Sequence, residues 1–458
     1  MSKSKTISEG PVAIMGLGKT GWSAARFLES RGIEVWAWDD QESIRAKAKS
    51  DGIKLKDLYL CDWSYPKFLI LSPGIPEHYP TPHKVASLAI EHKCKIICDI
   101  DLLAQYNNEA TFIGVTGTNG KSTTTSLIGH ILDNTKRLTR IGGNLGIPAI
   151  DLEMLGKDGT YVLELSSYQL GRLPSLNLSS GVLLNISFDH LDRHGGLNGY
   201  IDAKKSIFQK LSDNGNAVIG IDDPYSRSIG LELMSQTLGK KVRVVPISSK
   251  LRAPGGVYCS GKYLIDDMDY KSSKVMDLTV QTQLEGLHNW QNIAAAYAIA
   301  RVNNISGEDI IHGIETFSGL AHRQEFVRKI GKVTFLNDSK ATNWDSAIKA
   351  LQTYSSIYWI AGGRLKEVEE NFNIKLPSEV KHAFLFGEDA GVISEMIGGQ
   401  VSFEICDDLE EAVFSAHEFS QKSYANGLVL FSPGCSSFDQ FKNFEERGDM
   451  FRQIVLEL

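Results

Sequence analysis

The chain has 458 residues, of which 42% are hydrophobic and 22% charged, a composition typical of soluble globular proteins and sufficient for about three domains. Its formal net charge of -7 disfavours a protein that binds nucleic acid or acidic lipid through a basic face. Residues 1–10 contain lysines without an apolar segment behind them, and no apolar run approaches the roughly 20 residues of a membrane span. With six scattered cysteines and no CxxC pair, we expect a cytoplasmic protein with reduced thiols.

Short apolar segments alternate with amphipathic ones, which predicts an α/β fold of βα units on mostly parallel sheets. We predict three domains: Rossmann-like at 1–99, a central phosphate-loop domain with a mostly parallel sheet at 100–318, and a second Rossmann-like domain at 319–458. The strands predicted in the first domain are 12–15, 34–38, 68–71 and 95–98, with helices at 22–31 and 84–91.

A glycine-rich turn follows the first predicted strand. Residues 16–21 (GLGKTG) match G-x-G-x-x-G, and Asp39 and Asp40 end the next strand, where an acidic side chain can bind a ribose hydroxyl. Three glycines beside a helix N-terminus accept any diphosphate. The turn therefore fits NAD or FAD, another nucleotide diphosphate, or a purely structural role. Residues 72–76 (SPGIP) end a later strand, where such domains hold ligands, or form an ordinary turn.

The central domain opens with a predicted strand at 111–115 that leads into a phosphate loop. Residues 114–125 (GVTGTNGKSTTT) contain Gly-Lys-Ser, but Val115 occupies the first glycine position of the usual spacing. Backbone amides of such a loop bind phosphate, Lys121 can reach the terminal phosphates, and Ser122 can bind Mg²⁺. The alternative is a helix capped by serine and threonine. The other elements predicted here are strands at 161–165 and 181–186, a β meander within 239–285 and a helix at 289–300.

Charged groups follow two strands of this domain. Glu164 near the end of a strand fits a Mg²⁺ ligand or a solvated strand end. Residues 189–194 (DHLDRH) fit a second divalent metal or a polar surface loop.

The third domain has polar motifs after two of its predicted strands, which lie at 333–336, 357–360, 383–386 and 428–431. Residues 337–343 (NDSKATN) follow the first strand, with Arg323 upstream to neutralise a nucleotide phosphate. Residues 432–441 (SPGCSSFDQF) follow the last strand and open a helix whose N–H groups can bind a carboxylate. Each motif also fits an ordinary loop.

Together these motifs resemble those of the Mur ligases, ATP-dependent amino-acid-adding enzymes of peptidoglycan synthesis, over almost the whole chain. The matching segments, in the family's order, are 114–122, 164–169 (ELSSYQ), 189–190, 288–292 (HNWQN) and 322–323. The family's own form of the loop accounts for Val115. The motifs at 337–343 and 437–448 (SFDQFKNFEERG) resemble those of the members that add D-glutamate.

The resemblance implies an amide ligase that converts the L-alanyl carboxylate of UDP-N-acetylmuramoyl-L-alanine to an acyl phosphate with ATP and joins it to D-glutamate. It implies a cytoplasmic monomer that serves cell-wall synthesis, and through it cell shape and division, without binding nucleic acid or membrane. Because the contacts for ATP and the amino acid lie in different domains, we expect the third domain to close onto the second.

The resemblance also implies a role for each matching residue. The ATP contacts are Gly117, Thr118, Asn119, Gly120, Lys121, Ser122, Thr123, Asn292, Arg323 and Asp338. The UDP substrate is held by Gly18, Lys19, Thr20, Asp39, Ser72, Gly74, Asn144 and Gln169, and D-glutamate by Lys340, Thr342, Lys366, Ser437, Phe438 and Phe444. Two Mg²⁺ ions are held by Ser122, Glu164, His190 and a CO₂-carbamylated Lys204, for which the neighbouring Lys205 is the alternative. The catalytic residues are Lys121, His190, Lys204 and Arg323, which act mostly by positioning and charge neutralisation.

Three rivals stay open. A folylpolyglutamate synthase uses related chemistry, and a nucleotide-binding regulatory protein would use the phosphate loop as a switch. An NAD-dependent oxidoreductase would leave the phosphate loop unused.

Overall fold

The computed structural model describes residues 10–235, 242–281, 283–365, 375–422 and 426–458, which form three sheets of four, nine and six strands. The sheets are mostly parallel and alternate with helices, so the predicted α/β class is confirmed. The chain divides into two compact units: unit 1 is Met1–Met276 with Gln291–Ile314, and unit 2 is Asp277–Trp290 with Glu315–Leu458. The three-domain division stays a prediction. Within the described ranges, no helix has the length and apolarity to cross a membrane.

The first sheet, in unit 1, is parallel with the strand order β2-β1-β3-β4. Its elements are β1 (Val12–Met15), α1 (Lys19–Glu29), β2 (Val35–Trp38), α2 (Glu42–Ser50), β3 (Phe68–Leu71), α3 (Lys84–Glu91), β4 (Lys95–Ile97) and α4 (Asp99–Tyr106). Because β1 pairs with both β2 and β3, the glycine turn lies between the ends of the two neighbouring strands. Helix α1 begins three residues earlier than predicted, since Lys19 and Thr20 precede its apolar periodicity yet lie in its first turn.

The second sheet, also in unit 1, has nine strands in the order β13-β12-β11-β10-β9-β8-β5-β7-β6. Its first elements are β5 (Thr111–Thr116), α5 (Lys121–Asn134), β6 (Thr139–Gly143), β7 (Thr160–Glu164), α6 (Ser167–Leu170), β8 (Leu178–Leu183), α7 (Leu197–Lys205) and β9 (Leu211–Gly220). It continues with α8 (Pro224–Ser235), β10 (Arg243–Ser248), β11 (Val257–Ser260), β12 (Tyr263–Asp266) and β13 (Ser273–Asp277); helices α9 (Leu287–Val302) and α10 (Gly307–Glu315) follow.

Two features of this sheet bear on the predictions. Val115 is fully buried in β5, opposite Glu164 of β7 and Val182 of β8, so it completes a strand between two neighbours. Within the predicted β meander at 239–285, β11, β12 and β13 are consecutive neighbours in the sheet and β11 pairs antiparallel with β12, whereas β10 pairs with β11 in parallel.

The third sheet, in unit 2, has the order β14-β15-β19-β16-β17-β18, with only β14 paired antiparallel among its described pairings. Its elements are β14 (Glu325–Ile330), β15 (Val333–Asn337), α11 (Trp344–Leu351), β16 (Ile357–Gly362), β17 (Val380–Phe386), α12 (Ala390–Ile397), β18 (Phe403–Ile405), α13 (Leu409–Gln421), β19 (Gly427–Gly434) and α14 (Phe444–Glu457). Because β19 lies between β15 and β16 and pairs in parallel with both, the loops after these three strands meet at one edge of the sheet, and two of those loops are the polar motifs after β15 and β19.

Candidate active site

The phosphate loop between β5 and α5 has the backbone that its glycines predict. Gly117 and Gly120 both have positive φ, at +155° and +83°. A Cβ atom on Gly120 would lie 2.3 Å from Oδ1 of Asn292, which is buried and accepts a hydrogen bond from Thr124. The loop therefore requires glycine at this position, and the predicted ATP contact Asn292 lies directly against it.

A residue outside the predicted set fixes the middle of this loop. Asn185, just after β8, accepts a hydrogen bond from the Asn119 N–H through Oδ1 at 2.9 Å and donates through Nδ2 to the Asn119 carbonyl at 3.1 Å. Its own carbonyl accepts from the Thr118 N–H. The sequence did indicate this residue, because Asn185 is a polar side chain directly after the apolar segment 181–184 (GVLL), where a strand ends.

The two residues predicted to hold the first Mg²⁺ are in direct contact. The Ser122 hydroxyl donates a hydrogen bond to Oε2 of Glu164, and both residues are buried. Asn144, a predicted substrate contact, donates to Oε1 of the same carboxylate at 2.8 Å. Hydroxyl and carboxylate oxygens are the donors that Mg²⁺ prefers, so this pair fits the ion.

Two lysines meet at one carbonyl of the loop. Nζ of Lys121 donates to the carbonyls of Gly117 at 2.9 Å and Thr118 at 2.8 Å, and Nζ of Lys204 donates to the Gly117 carbonyl at 2.7 Å. Burial, and then the charge of Lys121, hold the pKa of the Lys204 amine well below its ordinary value. Lys205 instead forms an ion pair with Glu232 at 2.6 Å, so only Lys204 reaches the loop.

His190 begins the 3₁₀ segment Leu191–His194 in a left-handed conformation. Its Nε2 lies 3.5 Å from Oδ2 of Asp189, and its ring lies 5.4 Å from that of Tyr168. His194, the second imidazole of the predicted 189–194 motif, stacks on Tyr168, and its Nε2 lies 2.9 Å from the Ser167 hydroxyl. Burial, and then the charge of Lys204, lower the pKa of His194 to about 4, so its imidazole is neutral.

The glycine turn of the first sheet leads into helix α1, and its N-cap residue, Gly18, provides no side-chain hydrogen bond to the N-terminus of the helix. Asp39 accepts the N–H of Leu17 at 2.7 Å and that of Gln41 at 2.9 Å, so this predicted substrate contact also braces the turn. Ser72 donates to the Gly16 carbonyl at 2.9 Å, which joins the second predicted loop to the first. This contact joins the loop that contains Ser72 and Gly74 to Gly16, which precedes the predicted contacts Gly18, Lys19 and Thr20 in the turn.

The remaining predicted substrate contact in unit 1 has a structural partner. Gln169 is buried at the start of α6, where its Oε1 accepts from the backbone N–H and the hydroxyl of Ser166. This reciprocal cap fixes the segment that follows Glu164.

In unit 2, Asp338 follows β15 and is buried. Its carboxylate accepts from the Ser432 hydroxyl at 2.8 Å and from the Gln324 N–H at 3.3 Å. Burial raises its pKa to about 7, which the Ser432 hydrogen bond and the charge of Arg323 oppose. The two predicted nucleotide contacts of this unit are thus electrostatically linked.

The predicted D-glutamate residues cluster in part. Nζ of Lys340 lies 3.8 Å from the centre of the Phe444 ring, and the Thr342 N–H donates to the Lys340 carbonyl. Ser437 is buried, whereas Phe438 is 66% exposed. Lys366 lies outside the described residues.

Arg447 is a buried cation that the motif at 437–448 contained without a predicted role. Its guanidinium donates to the hydroxyl and carbonyl of Ser339 and to the carbonyls of Cys435 and Gly362. It therefore joins the three loops after β15, β16 and β19. Burial lowers its pKa to about 10, so it remains charged at neutral pH.

The phosphate loop, with a lysine and a hydroxyl–carboxylate pair beside it, defines a nucleotide-binding α/β protein. The model of the Mur ligase middle domain matches residues 115–300. The chain is 44% identical to a UDP-N-acetylmuramoylalanine–D-glutamate ligase from Rhodospirillum rubrum, over 98% of this chain and 94% of that protein. It is 43% identical to the ligase of the same name from Caulobacter vibrioides, over 97% of this chain and 95% of that one.

A MurF crystal structure from Acinetobacter baumannii superposes with a TM-score of 0.58 at 18% identity, covering 81% of this chain and 88% of that one, and supports the fold. This chain belongs to the UDP-N-acetylmuramoylalanine–D-glutamate ligase family, within the Mur ligases. The family resemblance predicted from the sequence motifs is confirmed.

Proposed function

We propose that this protein is an ATP-dependent amide ligase that adds D-glutamate to UDP-N-acetylmuramoyl-L-alanine in peptidoglycan synthesis. The observation that carries the proposal is 44% identity to a D-glutamate ligase over nearly the whole of both chains. The geometry of the phosphate loop supports it, because the loop presents backbone amides and a lysine where ATP phosphates bind.

Lys121 and the loop amides hold the ATP phosphates in this proposal. The Lys121 ammonium donates hydrogen bonds to the neutral carbonyls of Gly117 and Thr118. A phosphate oxygen is a stronger, charged acceptor, so the ammonium exchanges a carbonyl for the terminal phosphates when ATP binds. Arg323 and Asp338 are the other side chains proposed to contact the nucleotide.

Two Mg²⁺ ions complete the proposed site, one held by Ser122 and Glu164 and the other by His190 and Lys204. When bound, the ions neutralise phosphate charge and orient the attacked groups. The buried Glu164 carboxylate, which accepts from Ser122 and Asn144, presents its oxygens in a fixed orientation for this purpose.

Lys204 is proposed to carry a carbamate. A neutral amine is the nucleophile that attacks CO₂: its lone pair forms the N–C bond, and one N–H proton leaves to solvent. The buried Lys204 amine has a pKa held well below its ordinary value, which favours the neutral form. The resulting carbamate anion is attracted by the neighbouring Lys121 ammonium and supplies oxygen ligands for the metal.

The proposed reaction has two steps. A carboxylate oxygen of the L-alanyl group attacks the γ-phosphorus of ATP, and the bond to the ADP oxygen breaks to leave an acyl phosphate. The amine of D-glutamate then attacks the acyl carbon, and the tetrahedral intermediate expels phosphate as the amide forms and the amine loses a proton. Lys121 and Arg323 stabilise the charge that develops on phosphate, and positioning supplies most of the acceleration.

The other substrates have proposed pockets. The glycine turn and the loop after β3, with Asn144 and Gln169, hold the UDP-sugar peptide, and the motifs after β15 and β19 hold D-glutamate. We further propose a cytoplasmic monomer with domains at 1–99, 100–318 and 319–458.

A panel of acceptors and amino acids, with phosphate release as the readout, tests the function. We expect turnover only with UDP-N-acetylmuramoyl-L-alanine and D-glutamate together. Activity with folate and L-glutamate but none with D-glutamate would overturn the proposal in favour of a folylpolyglutamate synthase. Slow ATP hydrolysis that no acceptor stimulates would indicate a regulatory nucleotide-binding protein, and fluorescence titration with a nicotinamide dinucleotide should show no binding.

A further inference from the structure

Arg172 is a buried cation just after helix α6, and the sequence motifs give it no role. It is only 3% exposed, although arginine is rarely buried to this extent without a specific partner. Its guanidinium points from the segment after α6 to the loop that follows strand β3 of the first sheet. Both segments belong to unit 1.

The guanidinium bonds to this loop at four places. Nη1 donates to the carbonyls of Leu71 at 3.0 Å and Ser72 at 3.2 Å, and Nη2 donates to the carbonyl of Ile75 at 3.0 Å. Nε donates to Oε2 of Glu77 at 2.8 Å, which balances the buried charge. Arginine suits this position because its planar group offers five donors in fixed directions, whereas lysine offers three from a single nitrogen.

The loop held by Arg172 packs against the glycine turn. Ser72 donates its hydroxyl to the Gly16 carbonyl at 2.9 Å and its N–H to the Met15 carbonyl at 3.0 Å. A Cβ atom on Gly16 would lie 2.6 Å from the Ser72 hydroxyl and 2.8 Å from Cδ1 of Ile75. A displacement of the loop therefore displaces the turn that is the candidate site for a nucleoside diphosphate.

A second arginine reaches the same loop from the segment that contains His190. Nη1 of Arg193 donates to the Gly74 carbonyl at 3.2 Å, and its guanidinium lies 4.8 Å from the centre of the Tyr168 ring. Four carbonyls of the loop are thus bonded by arginines from the segments that follow β7 and β8.

We propose that Arg172 is a positioning residue that holds residues 71–77 in the conformation that receives the uridine diphosphate end of the acceptor substrate. This proposal rests on the proposed function for the identity of that substrate. Arg172 acts through the loop, and it sets the affinity for the nucleoside diphosphate without contacting the phosphates of ATP.

The variants Arg172→Lys and Arg172→Gln test the proposal by steady-state kinetics with each of the three substrates varied in turn. In Arg172→Gln we expect the KM for UDP-N-acetylmuramoyl-L-alanine to rise about tenfold or more, because several charge-assisted hydrogen bonds are lost. The KM values for ATP and D-glutamate should change by less than about twofold, since their sites are unaltered. Arg172→Lys, which keeps the charge but not the four contacts, should fall between wild type and Arg172→Gln.

Calorimetric titration with UDP alone provides a readout independent of turnover, and its Kd should rise in parallel with that KM. Arg243→Gln is the matched control. Arg243, the first residue of β10, also donates to a backbone carbonyl, that of Met268, and forms an ion pair with an acidic residue, Asp269. This control should leave all three KM values and the Kd for UDP unchanged. If Arg172→Gln fails to fold, Glu77→Gln keeps the arginine but removes its counter-charge, and it should raise the same KM about threefold.

An unchanged Kd for UDP in folded Arg172→Gln would overturn the proposal, as would an equal rise in all three KM values, which indicates general disruption. A wild-type enzyme that turned over no acceptor would instead refute the proposed function. The UDP titration would still decide the role of Arg172 in that case.

Discussion

At the scale of the residue, the neighbouring Lys204 and Lys205 provide an internal comparison. Lys204 is buried and bonds to the Gly117 carbonyl, whereas Lys205 forms a partly exposed ion pair with Glu232. We expect Lys204→Ala to lower kcat on the order of 100-fold, the upper range for loss of a group that supports a metal site. Because a carbamate is a tethered carboxylate, added formate or acetate should restore part of the activity, as measured by phosphate release.

Lys205→Ala is the control for this experiment. A surface ion pair contributes about 1 kcal/mol or less, so activity should stay within about twofold of wild type and should not respond to short carboxylates. Wild-type activity in Lys204→Ala would refute the carbamate, and loss followed by rescue in Lys205→Ala would assign it to the neighbouring position.

Asp338 predicts a pH dependence of stability. The folded protein retains the carboxyl proton up to a pKa of about 7, whereas the ordinary value for the unfolded chain is 3.8. The folded state therefore binds more protons between these values, and the free energy of unfolding falls as pH rises from about 4 to about 7 and stays lower above it. The side chain that Asp338→Asn introduces cannot ionise. As pH rises from 5 to 8, the free energy of unfolding, measured by urea denaturation, should therefore fall less in this variant than in wild type.

The same variant separates stability from binding. Asp338→Asn should raise the KM for ATP, because the proposed nucleotide contact loses its charge, even at a pH where the variant is the more stable protein. An identical pH dependence of unfolding in wild type and variant would contradict a raised pKa for Asp338.

The candidate site was predictable where a residue lies within a motif and was missed where its role depends on the fold. Lys121, Ser122 and Glu164 lie in motifs, and the structure brings them together, although their roles stay predictions. Asn185 and Arg172 act on loops 66 and about 100 residues away in sequence. Such contacts depend on which strands are neighbours, and local sequence does not specify this.

At the scale of the element, the phosphate loop depends on one glycine for two separable reasons. Gly120 has φ +83°, and an added Cβ would lie 2.3 Å from Oδ1 of the buried Asn292. Gly52 has nearly the same φ, +86°, with no atom within 4 Å of such a Cβ. The two positions therefore share the backbone strain and differ in the steric clash.

Substitution by alanine at the two positions distinguishes strain from clash. Gly52→Ala should cost about 1 kcal/mol of unfolding free energy and leave kinetics unchanged. Gly120→Ala should additionally raise the KM for ATP about tenfold or more, because the clash displaces the loop from the phosphates. Thermal unfolding and ATP-dependent phosphate release measure the two effects, and equal KM values in both variants would contradict this account of the loop.

Predicted elements were accurate where apolar residues dominate. The strand predicted at 68–71 and the helix at 84–91 match β3 and α3 at both ends. Strands β6 and β9 were not predicted, because β6 is a short TRIGG segment and β9 begins with the polar run LSDNGN. In both cases the neighbouring strands supply the hydrogen bonds that the local pattern does not indicate.

At the scale of the whole molecule, the alternation of elements in the sequence predicted the α/β class. It did not predict that the first two sheets share a hydrophobic core. One hydrophobic core contains both Leu28 and Ile150. Leu28 belongs to α1, which accompanies the first sheet, and Ile150 follows β6 of the second sheet. The Ser23 hydroxyl of α1 also donates to Asp151 at 2.6 Å. A core is shared through side chains from distant segments, so no local pattern indicates it.

This shared core predicts that the first two sheets lose stability together. Leu28 is fully buried, and Leu28→Ala should cost about 3 kcal/mol through lost contacts and a residual cavity. Hydrogen exchange, followed by mass spectrometry, should then accelerate in β1 and β3 of the first sheet and also in β5 and β7 of the second. Leu60→Ala is the control: Leu60 lies in the same part of the chain but is 84% exposed, so exchange should be unchanged. Acceleration confined to the first sheet in Leu28→Ala would show instead that the two sheets open independently, and residues 1–99 would then behave as a separate domain.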